Sequence, residues 1–108
     1  MSALIDAATE DNFDREVMTF GGPVLVDFWA PWCGPCRALQ PTLEEVAEMY
    51  GEELKIVKVD IESHPGLAER FGVRSIPLLA LFAEGSERGR VAGALSKTRL
   101  CHFIDTHL

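Results

Sequence analysis

Apolar residues recur along this chain in two spacings that alternate from one segment to the next. Over residues 23–30, "PVLVDFWA", the run is nearly continuous and rich in β-branched and aromatic side chains. That is the pattern of a strand covered on both faces. Residues 36–50, "CRALQPTLEEVAEMY", place Leu39, Leu43, Val46, Ala47 and Tyr50 at helical spacing, with Arg37, Gln40, Glu44, Glu45 and Glu48 on the other side. The spacing predicts a long amphipathic helix, stopped by Gly51. Pro41 falls inside it and predicts a kink, because it removes a backbone bond and crowds the preceding turn.

The remaining segments complete an alternating order. Residues 12–18 put Phe13 and Val17 on one helical face. Residues 54–61, "LKIVKVDI", read as a second strand, residues 66–71 as a short helix ended by Gly72, and residues 77–82 as a third buried strand. "AEGS" is a turn in which Gly85 suits a positive φ, and "RGRVAGA" follows as the pairing strand. Ser96 is a good N-cap for a last helix with Leu100, Phe103, Ile104 and Leu108 on one face. A strand–helix–strand unit followed by a hairpin predicts an α/β fold, a mixed sheet with helices on both faces.

The length of 108 residues predicts one domain, 1–108, able to bury a core without covalent staples. The net charge of −7 disfavours nucleic acid or an anionic membrane as the main partner. The opening "MSALIDAATEDNF" has no basic start followed by an apolar run, and the longest apolar runs fall well short of the roughly 20 residues of a spanning helix. The expectation is a soluble, cytoplasmic protein. Structural disulfides are rare in that compartment, so a close cysteine pair there points to catalysis or metal binding.

Such a pair stands in "WCGPC", residues 32–36. With Cys101 the cysteine count is odd, which argues against a disulfide framework. A closed zinc site wants four ligands, and His64, His102 and His107 form no second knuckle beside Cys101. Redox chemistry fits the placement better. Cys33 and Cys36 fall where a buried strand ends and a long helix begins, and a helix N-terminus stabilises a thiolate. Cys33, opening the helix, is expected to be the more exposed. It would attack a substrate disulfide, and Cys36 would then attack Cys33. Gly34 allows close approach of a partner backbone, and Pro35 stiffens the first turn without breaking it. The alternative is a pair of structural thiols that happen to be close.

Two further signals surround the pair. Asp27 is the only charge within "VLVDFWA". A buried carboxyl tends to hold its proton, so Asp27 could take the proton of Cys36, with Lys58 of the adjoining strand tuning it; a structural Asp–Lys pair is the other reading. Pro77 opens a buried strand and leaves a stretch of backbone free, where a substrate strand could pair through Ile76.

Taken together, "VDFWAPWCGPC", Pro41, "KVDIESHPGLAERFGVRSIP", the glycine turn after "LLALF", and "GALSK" resemble the thioredoxin family over nearly the whole chain. The resemblance implies a central mixed five-stranded sheet flanked by four helices, the extra strand lying within residues 4–8. It implies a general protein-disulfide reductase with no bound cofactor beyond a redox-active Cys33–Cys36 disulfide. Its partners would be a thioredoxin reductase and disulfide-containing proteins, and it would act as a monomer. Cys33 would be the nucleophile, Cys36 the resolving thiol, Asp27 the buried acid and Lys58 its partner. Ile76–Pro77 would be a cis-proline element facing the disulfide. Trp32, Gly34, Pro35, Gly72, Val73, Ile76, Gly93 and Ala94 would form an apolar rim for extended substrates. Pro31, Leu78 and Cys101 depart from the family pattern; Pro31 and Leu78 could alter partner choice, and Cys101 reads as a half-buried thiol. An oxidase or isomerase on the same fold commonly carries a histidine between the cysteines, which this chain lacks. An interaction subunit without turnover is the remaining alternative.

Overall fold

The computed structural model describes residues 4–108. Strands β1 (Ile5–Ala7), β2 (Val24–Trp29), β3 (Lys55–Asp60), β4 (Leu78–Ala83) and β5 (Ser86–Ala92) form one sheet in the order β1-β3-β2-β4-β5. β1 and β2 run parallel to β3, while β2–β4 and β4–β5 pair antiparallel. The α-helices are α1 (Gly34–Tyr50), α2 (Pro65–Arg70) and α3 (Lys97–His107), preceded by a short π-helix, Asp14–Met18. This is the mixed α/β architecture expected from the periodicity.

Burial explains the layers. Successive strand residues point to opposite faces. On one face Leu25, Ile56, Leu79 and Leu81 pack with Leu39, Leu43 and Val46 of α1 and with Leu100 and Ile104 of α3. On the other, Val24, Val26, Phe28, Val57 and Val59 pack with Phe13, which caps the π-helix, with Val17 inside it and with Leu67 of α2. Fully burying one such aliphatic side chain stabilises the fold by about 1.5–3 kcal/mol. Both faces of β2 are covered, which is why its sequence is almost continuously apolar.

The helices begin and end for local reasons. Ser96 caps α3, its Oγ accepting the N–H of Arg99 at 3.3 Å. Gly72, at φ 63°, follows α2 in a conformation that costs other residues a steric penalty. The Tyr50 hydroxyl donates to Asp105 Oδ1 at 2.6 Å and ties the end of α1 to α3. α1 runs on through Pro41, which stands on its exposed side.

Some details differ from the periodicity reading. The first helix is wound more widely than an α-helix: the N–H of Thr19 reaches the carbonyl of Asp14 at 2.8 Å, five residues back. It still buries Phe13 and Val17 together. α1 starts at Gly34 rather than at Cys36, because Pro35 suits a first turn. β1 is present at the sheet edge, too short to be read from alternation.

Candidate redox site

Cys33 and Cys36 are joined by a disulfide, with Cα atoms 5.3 Å apart. β2 ends at Trp29, and a turn carries the chain into α1 with Cys33 as its N-cap residue. Cys33 Sγ accepts the backbone N–H of Cys36 at 3.2 Å, doing with sulfur what a capping oxygen does elsewhere. The carbonyl of Cys33 accepts the N–H of Arg37 at 3.1 Å. A sulfur at this position faces the positive end of the helix and a donated hydrogen bond, and both favour its anionic form.

Cys33 is 5% exposed and Cys36 2%. The order is the expected one, but Cys33 is not open to solvent: the disulfide lies in a small apolar cluster. Ala30 shares that cluster, and Trp29, Ile61 and Ile76 pack against it. Ile61 was not singled out from the sequence. Its signal was available, since it closes the apolar strand pattern of residues 54–61.

Asp27 is 0% exposed, and neither carboxylate oxygen has a hydrogen-bond partner in the protein. Burial raises its pKa from 3.8 to about 7, and Lys58 pulls in the opposite direction. β2 and β3 are in register at Asp27 and Lys58, so both project from the same sheet face as Leu25 and Ile56, the face covered by α1. They do not form an ion pair. The Lys58 ammonium lies over the Trp29 ring, 4.2 Å from its centroid, a cation–π arrangement that keeps it near Asp27 without neutralising it. A crevice of about 250 Å³, lined by Trp29, Cys36, Arg37, Gln40 and Lys58, joins Cys36 to the Lys58 side. Gln40 belongs to the site by helical spacing from Cys36, four residues on, and Arg37 by directly following it.

The peptide bond between Ile76 and Pro77 is cis. Pro77 is buried immediately before β4, and Ile76 is half-buried against the disulfide cluster. Gly93 joins this corner through its N–H, which donates to the carbonyl of Pro77 at 2.9 Å. Val73 and Ile76 both pack against the phenylalanine-rich core. Trp32, at 67% exposure, stands clear beside Cys33, and Gly34 and Pro35 are exposed in the first turn of α1. Gly72 and Ala94 are exposed next to Val73 and Gly93 respectively. Leu78 does not line this surface: it is 6% exposed and packs inward with Phe28 and Phe82. Cys101 is half-buried on α3, against the α1 core and away from the disulfide cluster. Among the described residues no group of three or more His, Cys, Asp or Glu could hold a metal ion, and no helix is long and apolar enough to cross a membrane.

A reducible disulfide at a strand–helix junction, backed by a buried acid, defines a dithiol–disulfide oxidoreductase whose redox group is a cysteine pair of its own chain. The thioredoxin family model matches residues 5–106. The chain is 46% identical to thioredoxin 1 of Synechococcus elongatus over 94% of this chain and 95% of that protein. It is 43% identical to the thioredoxin of Pseudomonas aeruginosa over the full length of both. It is also 44% identical to the M-type chloroplastic thioredoxin of Triticum aestivum over 94% of this chain and 58% of that protein. The chain belongs to the thioredoxin family.

Proposed function

We propose that the chain, acting as one domain, is a general protein-disulfide reductase of the cytoplasm, a monomeric electron carrier recharged by a thioredoxin reductase. The reading is carried by the sulfur cap of α1: Cys33 Sγ accepts a helix N–H and faces the helix dipole. Cys33 is the nucleophile. As thiolate it attacks one sulfur of a substrate disulfide, forming a mixed disulfide and expelling a substrate thiolate, which takes a proton. Cys36 then gives its proton to the Asp27 carboxylate and attacks Cys33 Sγ. The second substrate thiolate leaves, and Cys33–Cys36 is oxidised as the substrate gains two electrons. Two electrons and two protons from the reductase restore the dithiol.

Asp27 suits the acceptor role because a carboxyl with a pKa of about 7 is divided between its two forms at neutral pH. Lys58 favours the ionised form. Gly34 and Pro35 set the geometry between the cysteines. Trp32, Gly72, Val73, Ile76, Pro77, Gly93 and Ala94 form the surface that receives an extended polypeptide, with Ile76 offering backbone hydrogen-bonding groups beside the disulfide.

The test is NADPH-driven reduction of insulin disulfides with a thioredoxin reductase. The native protein should turn over and Cys33→Ser should not; no turnover by the native protein with any supplied reductase or with dithiothreitol rejects the reading. Asp27→Ala should slow the Cys36 step, so that the mixed disulfide accumulates in acid-quenched samples. If it does not accumulate, Asp27 is not the proton acceptor.

A further inference from the structure

Helix α3 carries two rows of residues at four-residue spacing on one face: Thr98, His102 and Thr106, and beside them Arg99, Phe103 and His107. That face borders β5, the last strand of the sheet, and a groove of about 480 Å³ runs between the two. Val91, Leu95 and Phe103 form its apolar lining. The His107 ring is seated over β5 where Gly89 leaves room, since a Cβ at that position would lie 2.7 Å from the imidazole. The Phe103 and His107 rings stand 4.8 Å apart, centroid to centroid. No residue of the disulfide cluster lines this groove.

The polar lining is cationic or neutral, and most of it is unspent. Among the described residues Arg99 has no ion pair, and the imidazoles of His102 and His107 make neither an ion pair nor a hydrogen bond. The Thr106 hydroxyl is committed, donating to the carbonyl of His102 at 2.7 Å. No carboxylate lines the groove. Asp105, the acid of α3, is held on the α1 side by the Tyr50 hydroxyl.

We propose that this groove binds a small aromatic monoanion, such as an aryl carboxylate, with its ring against Phe103 and His107 and its carboxylate on Arg99. The volume is that of a small-ligand site. A further ring packs offset or edge-on against an aromatic pair, and a guanidinium takes a carboxylate in bidentate fashion. His102 supplies another N–H donor. The rest of the molecule favours a small ligand over a macromolecule. A net charge of −7 repels a polyanion that extends beyond the groove. β5 is an edge strand with a register shift opposite Leu81 and Phe82 and with arginines at 88 and 90, features that discourage addition of an extended chain. The proposal stands apart from the reductase reading.

The experiment titrates the 15N-labelled oxidised protein and follows backbone amide shifts. The probes are 2-naphthoate, the neutral 2-naphthalenemethanol, the cationic 2-naphthylmethylammonium and a hexaglutamate peptide. Naphthoate should shift the amides of the groove, within residues 91–107, with a Kd on the order of 1 mM. The alcohol should bind about fivefold more weakly and the ammonium more weakly still. Arg99→Gln with His102→Gln should weaken naphthoate about fivefold and leave the alcohol unchanged, which separates lost charge from lost folding. The proposal is overturned by an absence of groove shifts at about 20 mM naphthoate, by shifts centred elsewhere, by equal binding of the three naphthyl probes, or by unchanged affinity in the double variant. Tighter binding of hexaglutamate than of naphthoate also overturns it, in favour of an acidic polypeptide.

Discussion

Asp27 shows how one residue can work against the fold that holds it. An unfolded aspartate ionises near 3.8, whereas the buried one ionises near 7. Below the lower value both states carry the proton and there is no penalty. As pH rises between the two, the unfolded chain releases a proton that the folded chain keeps, so stability falls and the full loss is reached above pH 7. The shift corresponds to about 4 kcal/mol. Asp27→Asn removes the titration. Relative to the native protein, its unfolding free energy should therefore rise by about 4 kcal/mol between pH 4 and pH 8.5, measured by urea unfolding of the oxidised forms. A constant difference across that range would mean that Asp27 has an ordinary carboxyl pKa. The residue was conspicuous in the sequence as the one charge in an apolar strand. That Lys58 rests on Trp29 and not on the carboxylate was not readable, because strand registry and ring contact are both long-range facts.

At the scale of elements, the hairpin between β4 and β5 is the clearest case. Its loop is Glu84–Gly85, closed by the pairing of Ala83 with Ser86. Both loop residues have positive φ, 52° for Glu84 and 78° for Gly85. A two-residue loop with both φ positive matches the twist of the strands, and Asn-Gly is its preferred sequence. Glutamate carries a steric cost there of about 1–2 kcal/mol. Its salt bridge to Arg88, at 3.3 Å and exposed, offsets little of it. Glu84→Asn should raise the unfolding free energy by about 0.5–1 kcal/mol, visible as a higher Tm by calorimetry; a lower Tm would show that the Arg88 contact outweighs backbone strain. The opposite sign is expected at the N-cap of α3. Ser96→Ala removes the Oγ that accepts the Arg99 N–H and should cost about 1 kcal/mol. The turn glycine and the serine cap were legible because each is a local device. The π winding at Asp14–Met18 was not, since Phe13 and Val17, four residues apart, fit an α-helical face as well.

At the scale of the whole molecule, the sheet divides two large cores, with the smaller disulfide cluster at its reactive end. Val17 belongs to one and Ile104 to the other, on opposite faces of the sheet. Truncations on the two sides should therefore act independently. Val17→Ala and Ile104→Ala should each destabilise, the isoleucine by about 2–5 kcal/mol, and the double variant should equal the sum within about 0.5 kcal/mol. A larger coupling would mean that strain crosses the sheet. The same division places the chemistry. Alternation along β2 turns Asp27 to the α1 side and Phe28 to the other, so the acid shares a layer with Cys36 while the ring joins the phenylalanine core.

The identity of the reactive groups, the order of the elements and the faces they bury follow from the chain itself, because periodicity, capping and turn chemistry act over a few residues. The cysteine pair, its strand–helix junction and the isolated aspartate belong to that part. Tertiary structure alone decided three things. It turned Leu78 into the core and out of the groove, packed Ile61 and Ile76 around a disulfide that is less open than a helix-opening cysteine suggests, and brought Arg37 and Gln40 into one crevice with Cys36, Trp29 and Lys58. Each depends on which distant segments meet. Such meetings follow from the sum of many packing choices across the sheet, and no short stretch of sequence contains them.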